Sequence, residues 1–365
     1  MNTANLPARI GALTLALGLA LAAVPASRAD AGVRFTQRNL VSDGAVRAAH
    51  VDPNLVNSWG VAFNPFGFVW VADADGHVST LYDGDGNLQS LVVQIPVPTA
   101  PTGGSPTGIV YNGSNNFVVT QGGVSGASRF IFVTEEGVIA GWAPNVDLTH
   151  AVRVVDASAA RASYKGLALS ADGTGQRLYA TDFYHNRVDV FDSNFQPVAL
   201  SASAFKDRNI PQGFAPFGIQ AIGGDIYVTY AKQDASMTDE VKGPGLGYVD
   251  VYAPDGQLIR RVASRGNLNA PWGVALAPAG FGSFGGTVLI GNFGDGRINA
   301  YEPVFGFGLG PLRDTRFNPI QIDGLWGIAF GNGLANQPVN TLFFASGPEG
   351  EEHGLYGRLD ALPGR

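Results

Sequence analysis

Polar side chains that could hold a metal ion or move protons are concentrated in a few short loops of the sequence. Three of the five histidines, His77, His185 and His353, lie in these loops beside carboxylates and the amide of Asn292. Oxygen ligands suit a divalent metal such as Ca²⁺, whereas histidine nitrogen favours a transition metal. The alternative is structural, because Asp and Asn at strand ends often bond neighbouring backbone groups and shape turns. The sequence leaves both interpretations open.

A motif that occurs six times determines where these loops must lie. Each copy has a bulky or polar residue, then a glycine, then an apolar pair, and successive glycines are about 50 to 60 residues apart. A repeat of this length with short strands inside it is typical of β-propeller blades. Six copies therefore predict six blades. The motifs begin at Trp59, Thr107, Lys165, Phe217, Trp272 and Trp326.

Each unit continues with a second apolar run and then an alternating run that ends in Asp and Gly turn residues. In the second unit, this pattern places the second strand at 117–120 and the following loop at 121–128. The last unit stops after three strands, whereas the segment 35–41 precedes the first motif without a partner. Pairing the two would close the ring. The sequence thus predicts an all-β, six-bladed β-propeller of one domain over 33–362, closed by an N-terminal strand that completes the last blade.

In a four-stranded meander, the start of the first strand and the loop between strands two and three lie on one face, around the central channel. Aromatic residues at this mouth could offer flat faces to a sugar or could pack between blades. Lys165 stands where other copies have a bulky ring, so its ammonium is predicted to project toward the channel. The long loop 231–245 is predicted to act as a lid. The predicted binding residues are Asn57, Trp59, Tyr164, Phe217, Trp272 and Trp326.

Residues 1–29 predict an export signal, since Arg9 is followed by an apolar stretch at 10–24 that is short for a membrane span. The chain has no Cys, which excludes disulfides. Its net charge of −7 and its scattered Lys and Arg argue against nucleic acid. We expect an exported monomer, periplasmic or secreted, with no membrane span after cleavage. Its partner at the channel mouth would be a small molecule, a carbohydrate or a protein.

Many stretches of the sequence resemble an uncharacterised family of exported bacterial proteins related to NHL-repeat propellers. The resemblance covers nearly all of the chain after the predicted signal. It implies a six-bladed propeller and export, and it implies no particular reaction. The matching segments are 52–60, 105–108, 164–168, 188–195, 213–217, 271–273, 291–296 and 353–355.

The chain is more distantly similar to gluconolactonase and strictosidine-synthase-like propellers, which implies a metal at the channel mouth held by side chains from several blades. His185 or His353 would act as base or ligand, and Lys165 would stabilise negative charge. Two functions remain open: binding of a ligand or partner at the mouth, or a metal-assisted hydrolase or lyase acting on a lactone or carbohydrate. Binding is favoured, because no nucleophile and base can be paired from the sequence. By position, the metal ligands would be Asp73, Asp182, Asn292 and Asp295.

Overall fold

Six mainly antiparallel sheets form blades around a central channel. A computed structural model describes Met1 and residues 33–362, and in that part all elements are β-strands except two 3₁₀ turns, Ser158–Ala160 and Gly282–Phe284. The innermost strands of successive blades contact one another in a closed ring. The prediction of an all-β, six-bladed propeller is confirmed.

The strands are numbered along the chain. The N-terminal segment supplies β1 (Phe35–Ser42) and β2 (His50–Val51). The first blade contains β3 (Ser58–Phe63), β4 (Val69–Asp73), β5 (Val78–Tyr82) and β6 (Val93–Gln94). The second contains β7 (Pro106–Tyr111), the separate hairpin of β8 (Val118–Gln121) and β9 (Val124–Ala127), then β10 (Phe130–Thr134), β11 (Val138–Trp142) and β12 (Val152–Asp156). The third has three strands, β13 (Tyr164–Ala171), β14 (Gln176–Asp182) and β15 (Arg187–Phe191).

The remaining blades follow the same inside-to-outside order. The fourth contains β16 (Phe214–Ile222), β17 (Asp225–Gln233), the short β18 (Glu240–Val241), β19 (Tyr248–Tyr252) and β20 (Leu258–Ser264). The fifth contains β21 (Pro271–Leu276), β22 (Val288–Asn292), β23 (Ile298–Tyr301) and β24 (Gly308–Pro311). The sixth contains β25 (Leu325–Phe330), β26 (Thr341–Ser346) and β27 (Leu355–Ala361), followed by β1 and β2.

The N-terminal strand completes the sixth blade, as predicted. β1 pairs antiparallel with β27 along its whole length, from Phe35 opposite Ala361 to Ser42 opposite Leu355. The ring of Phe35 also packs on Phe281 of the fifth blade, with ring centroids 4.8 Å apart. The ring is therefore closed both by backbone hydrogen bonds and by packing between blades.

In the second blade, the predicted position of the second strand, at 117–120, is wrong. β7 pairs with Phe130–Thr134, whereas 117–120 contributes to the β8–β9 hairpin. Phe117 has a left-handed φ of 57° and turns its ring onto Phe195 of the third blade, so this apolar segment packs outside the blade's own sheet. The loop at 121–128 therefore lies between the first and second strands, and the loop between the second and third strands begins at Glu135.

The predicted export signal lies outside the described residues, apart from Met1. Among the helices of the described part, none is long and apolar enough to cross a membrane. Export therefore stays a prediction.

The motif glycines bring neighbouring inner strands into direct backbone contact. The pairing between the first and second strands shifts register at the motif, which marks a β-bulge. A Cβ on Gly218 would lie 2.0 Å from the carbonyl oxygen of Trp272, and one on Gly327 would lie 2.4 Å from that of Trp59. Only glycine fits this approach, and the same crowding recurs around the ring. The other glycines are Gly60, Gly108, Gly166 and Gly273.

Replacing Gly218 with alanine is expected to destabilise the ring, because the new Cβ would overlap a backbone oxygen that cannot move alone. We expect a loss of roughly 3 kcal/mol or more in the free energy of unfolding, measured by chemical denaturation. Gly175→Ala is the matched control, since the nearest atom to its Cβ is a side-chain nitrogen of Arg177 at 3.8 Å. Equal stability of the two variants would contradict the steric role of the glycine ring.

Candidate functional site

The top face, defined as the face where the inner strands begin, also carries the loops between the second and third strands. In every blade, a backbone N–H at or just after the end of the second strand donates to the carbonyl that precedes the inner strand. Ala74 donates to Asn57 at 3.0 Å, for example. The equivalent pairs are Glu135 to Ser105, Phe183 to Ser163, Gln233 to Gly213, Phe293 to Ala270 and Gly347 to Gly324. Residues from all six blades therefore meet around the upper end of the channel.

Aromatic side chains fill that upper end. Trp59 and Trp326 stack with ring centroids 3.4 Å apart, and Phe293 stacks on Trp326 at 3.8 Å. Phe217 packs with them and is also buried, whereas Trp272 is half-buried. The aromatic residues of the motif thus pack across the channel axis. We call Trp59, Phe217, Trp272, Phe293 and Trp326 the aromatic plug.

Below the plug, the channel narrows at the motif glycines to a space of about 30 Å³, which is enough for roughly one water molecule. It then widens toward the bottom face into a funnel of about 370 Å³ with apolar walls that include Val61, Ile109 and Val274. A ligand at the top face therefore rests on the plug and does not reach the funnel.

Charged side chains from five blades gather above the plug. They come from the first, second, third, fourth and sixth blades, and carboxyl groups outnumber ammonium groups by two to one. Such an excess of negative charge above a floor of aromatic rings is electrostatically suited to a cation. We call Asn57, Asp75, Glu135, Lys165, Glu240, Lys242 and Glu351 the mouth cluster.

Asn57 ties the mouth cluster to the plug. Its Nδ2 donates to Asp75 at 3.1 Å and to Glu351 at 3.2 Å, and its Oδ1 accepts from the indole N–H of Trp59 at 3.0 Å. Asn57 is buried and has a left-handed φ of 47°, a conformation that Asn tolerates better than most residues. One amide therefore holds two carboxylates from different blades in place, and burial raises the pKa of both Asp75 and Glu351.

Lys165 is buried within the mouth cluster. Its ammonium bonds to Glu135, forms an ion pair with Asp239 at 3.6 Å, and lies 5.3 Å from the ring centroid of Trp59. Burial acts to lower the pKa of Lys165, but the neighbouring carboxylates outweigh it and the net pKa is raised. Lys165 is therefore held charged. A cavity of about 500 Å³ opens beside it, with Arg161 and Tyr184 in its wall.

Among the acids of the mouth cluster, Glu240 has a strongly raised pKa. Burial raises its pKa to about 7, although the charges of Lys165 and Lys242 act to lower it. A carboxyl group that titrates near neutral pH can both release and accept a proton under ordinary conditions. Glu240 is therefore the group in the mouth cluster best suited to couple proton transfer to binding or to a reaction.

The loop predicted as a lid carries Glu240 and Lys242. Its strand β18 pairs with the end of β17, so that Lys232 is opposite Val241 and Gln233 is opposite Glu240. This pairing holds the segment over the mouth. The ammonium of Lys242 lies 3.9 Å from the ring centroid of Phe293, although the residue is exposed.

The residues proposed as metal ligands lie on the top face, and each has partners within its own blade. Asp73 bonds to Ser58 and Thr80, and Asp182 bonds to His185 at 2.6 Å. The amide N–H of Asn292 donates to the carboxylate of Asp295 at 3.0 Å. Asp73, Asp182 and Asn292 all end second strands, in the first, third and fifth blades. Over residues 33–362, no group of three or more His, Asp and Glu side chains is arranged to hold a metal ion.

The side chains of the proposed histidines and of Tyr164 bond to partners outside the mouth cluster, although the backbone carbonyl of His353 accepts from the N–H of Asn57 at 3.1 Å. His185 bonds to Asp182 in the third blade, and His353 bonds to Asp43 at 2.7 Å in the sixth. No hydrogen bond or ion pair within residues 33–362 joins either histidine to Lys165. Tyr164 is buried, and its hydroxyl donates to Asp189 at 3.1 Å.

The sequence places Glu351 among the acidic residues of the mouth face and Glu240 and Lys242 in the long loop, but it does not single out Glu135. The apolar segment 117–120 has the pattern of a second strand, which puts the mouth loop of that blade at 121–128 instead of at Glu135. A usable signal was present, since residues 130–133 are an unbroken apolar run, separated from Glu135 only by Thr134. The positions of Glu240 and Lys242 depend on the pairing of β18 with β17. β18 is only two residues long, so the sequence shows no alternating pattern from which this strand could be predicted.

Comparison with known proteins gives two viral relatives. The chain is 34% identical over 330 residues to Uncharacterized protein R648 of Acanthamoeba polyphaga mimivirus, covering 88% of this chain and 78% of that protein. It is 36% identical over 298 residues to Uncharacterized protein L690 of the same virus, covering 80% and 77%. No protein-family model matches the chain. The relatives are viral, so a bacterial origin for the family is not supported.

Solved structures share the propeller fold at low sequence identity. Virginiamycin B lyase from Staphylococcus aureus matches with a TM-score of 0.51 and 14% identity, over 90% of this chain and all of that one. A gluconolactonase from Xanthomonas campestris matches with a TM-score of 0.53 and 15% identity, over 84% and 87%. At such identities, the likeness establishes the fold alone.

Replacing Asn57 with aspartate is expected to destabilise the protein in a pH-dependent way. The change places a third carboxylate between Asp75 and Glu351 and removes both amide hydrogen bonds. We expect a loss of about 2 kcal/mol or more near neutral pH and a smaller loss near pH 4, measured by chemical denaturation. Asn57→Gly is the control, since it removes the same bonds without adding charge. A loss that does not depend on pH in Asn57→Asp would contradict the predicted repulsion.

Replacing Glu240 with glutamine is expected to change how stability depends on pH. The folded protein keeps the Glu240 proton up to a pKa of about 7, whereas the unfolded chain releases it near the ordinary value of 4.5. The native protein therefore loses stability as pH rises through that window, and the variant does not. As pH rises between these values, we expect the melting temperature of Glu240→Gln to increase relative to that of the wild type. Asp239→Asn, the exposed neighbour, is the control, and identical pH profiles for Glu240→Gln and wild type would contradict the raised pKa.

Proposed function

The chain belongs to the same protein family as the mimivirus proteins R648 and L690, and we propose that it binds a small organic cation at the mouth of its channel. The observation that carries this proposal is the position of its own two ammonium groups. Lys165 and Lys242 each lie over a ring of the aromatic plug, and Lys165 also pairs with the carboxylates of Glu135 and Asp239. The site already binds alkylammonium groups that belong to the chain itself.

The electrostatics of the mouth favour an added positive charge. The carboxyls of Asp75, Glu240 and Glu351 are harder to ionise than usual, because burial separates them from water. A cation placed among them would stabilise their ionised forms and release protons. Contact with aromatic faces would add about 0.5 to 2 kcal/mol per ring.

Lys242 is the group that a ligand would replace. It is exposed and belongs to the β18 segment, whereas Lys165 is buried and bonded to Glu135. A free cation could therefore take the place over Phe293 when Lys242 swings into solvent. A cavity of about 500 Å³ beside Lys165, whose lining includes Glu135 and Asp239 but not Phe293, is large enough for a small molecule next to the buried ammonium.

A second candidate function is acid–base catalysis at the same mouth. Glu240 favours it, because a carboxyl with a pKa of about 7 can serve as a general acid or base near neutral pH. Lys165, held charged nearby, would stabilise negative charge that develops on a substrate. Lyases and gluconolactonases share this fold, so a lyase or a hydrolase of a lactone or carbohydrate is the reaction class to test. We further propose that the protein acts as an exported monomer.

The binding proposal is tested by titration calorimetry with choline, agmatine and the uncharged carbon isostere of choline. We expect the cations to bind at least about tenfold more tightly than the isostere, with affinity that rises with pH through about 7 as Glu240 ionises. Lys242→Ala should strengthen binding because a competing ammonium is removed, whereas Lys242→Arg should leave it similar. Equal affinity for the cation and its isostere would exclude the proposal. Lactone turnover that is lost in Glu240→Gln would favour the second candidate.

A further inference from the structure

The third blade ends one strand earlier than the others. In the other five blades, an outer strand covers the third one: β6, β12, β20, β24 or β1. In the third blade, β15 (Arg187–Phe191) is the outermost strand of its sheet. The backbone of the following segment pairs with it only at a single bridge, between Phe191 and Pro197.

The outward backbone groups of β15 are therefore largely without a strand partner. Val190 accepts an outward hydrogen bond from the N–H of Val198 at 2.7 Å, and Asp192 donates outward to Gln196 at 2.8 Å. Since backbone direction alternates along a strand, Val188 also points its N–H and C=O outward. No neighbouring strand of the described chain lies opposite Val188, so this edge is open to pairing.

The chain itself does not fill the open position, for reasons visible in its path. The segment after Val198 turns at Ser201, whose carbonyl accepts from Ala204. Phe205 is then buried against Tyr252 of the fourth blade, with ring centroids 5.2 Å apart. The segment therefore leaves β15 after Val198 and packs against the fourth blade.

A slot of about 480 Å³ remains beside the edge. Its wall on the side of the second blade includes Val155 and Ala157, and its other wall includes Val198 and Leu200. Apolar side chains predominate on both walls, with Asp156 as the carboxylate on the side of the second blade. β-branched side chains would therefore suit both faces of an added strand.

Charge at the end of the slot restricts the occupant further. Arg187 and Asp189 pair with each other at 2.7 Å and neutralise one end. Lys206 lines the slot, is exposed, and forms no ion pair within residues 33–362. An acidic residue beside the apolar stretch would complement it.

We propose that an extended segment of a partner protein, β-branched and followed by an acidic residue, adds to β15 as the fourth strand of the third blade. The main-chain bonds would come from Val188 and Val190, and the side chains would enter the slot. The sixth blade shows that the fold accepts an outer strand distant in sequence, since β1 completes it. This surface lies on the outer edge of the ring and is independent of the mouth cluster.

The probe is a fluorescently labelled peptide of alternating Val and Thr that ends in two Asp, with fluorescence anisotropy as the readout. We expect binding with a Kd on the order of 10 to 100 μM, and at least about tenfold weaker binding by a peptide with Pro at its central position. Val188→Pro should abolish binding, because it removes an outward N–H but none of the bonds to β14. Val188→Thr is the matched control and should bind like wild type. Lys206→Glu should weaken binding several-fold.

Hydrogen exchange supplies a second readout that does not depend on the proline variant folding. The amide of Val188 in the wild-type protein should exchange more slowly when the peptide is present. Equal binding of the Pro-containing peptide, or no binding up to about 1 mM peptide, would overturn the proposal. Dimerisation of the protein that is lost in Val188→Pro, with no peptide binding, would also overturn it by assigning the edge to a second copy.

Discussion

The contact between motif glycines and the backbone of the next blade is the constraint on which the rest of the structure depends. At Gly218 and Gly327, the space for a Cβ is taken by the carbonyl oxygens of Trp272 and Trp59, and the same is true around the ring. Six inner strands can therefore approach one another more closely than side chains would allow. This approach leaves a channel too narrow for anything larger than water at its waist, and it brings the residues that precede each glycine together at the top face.

Those preceding residues determine the character of the site. Where they are aromatic, they stack on one another and exclude water from the channel, as Trp59 and Trp326 do. Where the series is interrupted by Lys165, an ammonium group is buried among them and must be neutralised by Glu135. The mouth cluster follows from this arrangement, because carboxyls placed above a dry aromatic floor have raised pKa values unless a cation stays close. Burial, rather than any metal-like geometry, is what makes Glu240 titrate near pH 7.

The fold was predictable because each blade repeats a pattern that local chemistry requires. The glycine motif gave six blades, and the unpaired segment at 35–41 gave the closing strand, since an open edge at the seam would be costly. The site was less predictable. The segment 117–120 that leads into the β8–β9 hairpin has the apolar pattern of a second strand, so the mouth loop of that blade was predicted at 121–128 and Glu135 was not identified. The aromatic residues of the motif repeat in sequence, but only the three-dimensional ring reveals that Trp59 and Phe217, from opposite blades, meet across the axis.

The dependence on inner strands also explains why blades can differ at their outer edges. Glycine contacts and plug packing involve the inner strands and Phe293, but no outer strand. An outer strand can therefore be two residues long, as Val93–Gln94 is, or can come from a distant segment, as β1 does. The third blade is the extreme case, in which no outer strand forms although the ring is complete. An open edge normally invites aggregation, and proteins usually shorten or charge it. Here, the charged residues Arg187 and Asp189 lie at one end of β15, whereas Val188 and Val190 are apolar, as is typical of a strand that is paired on both sides.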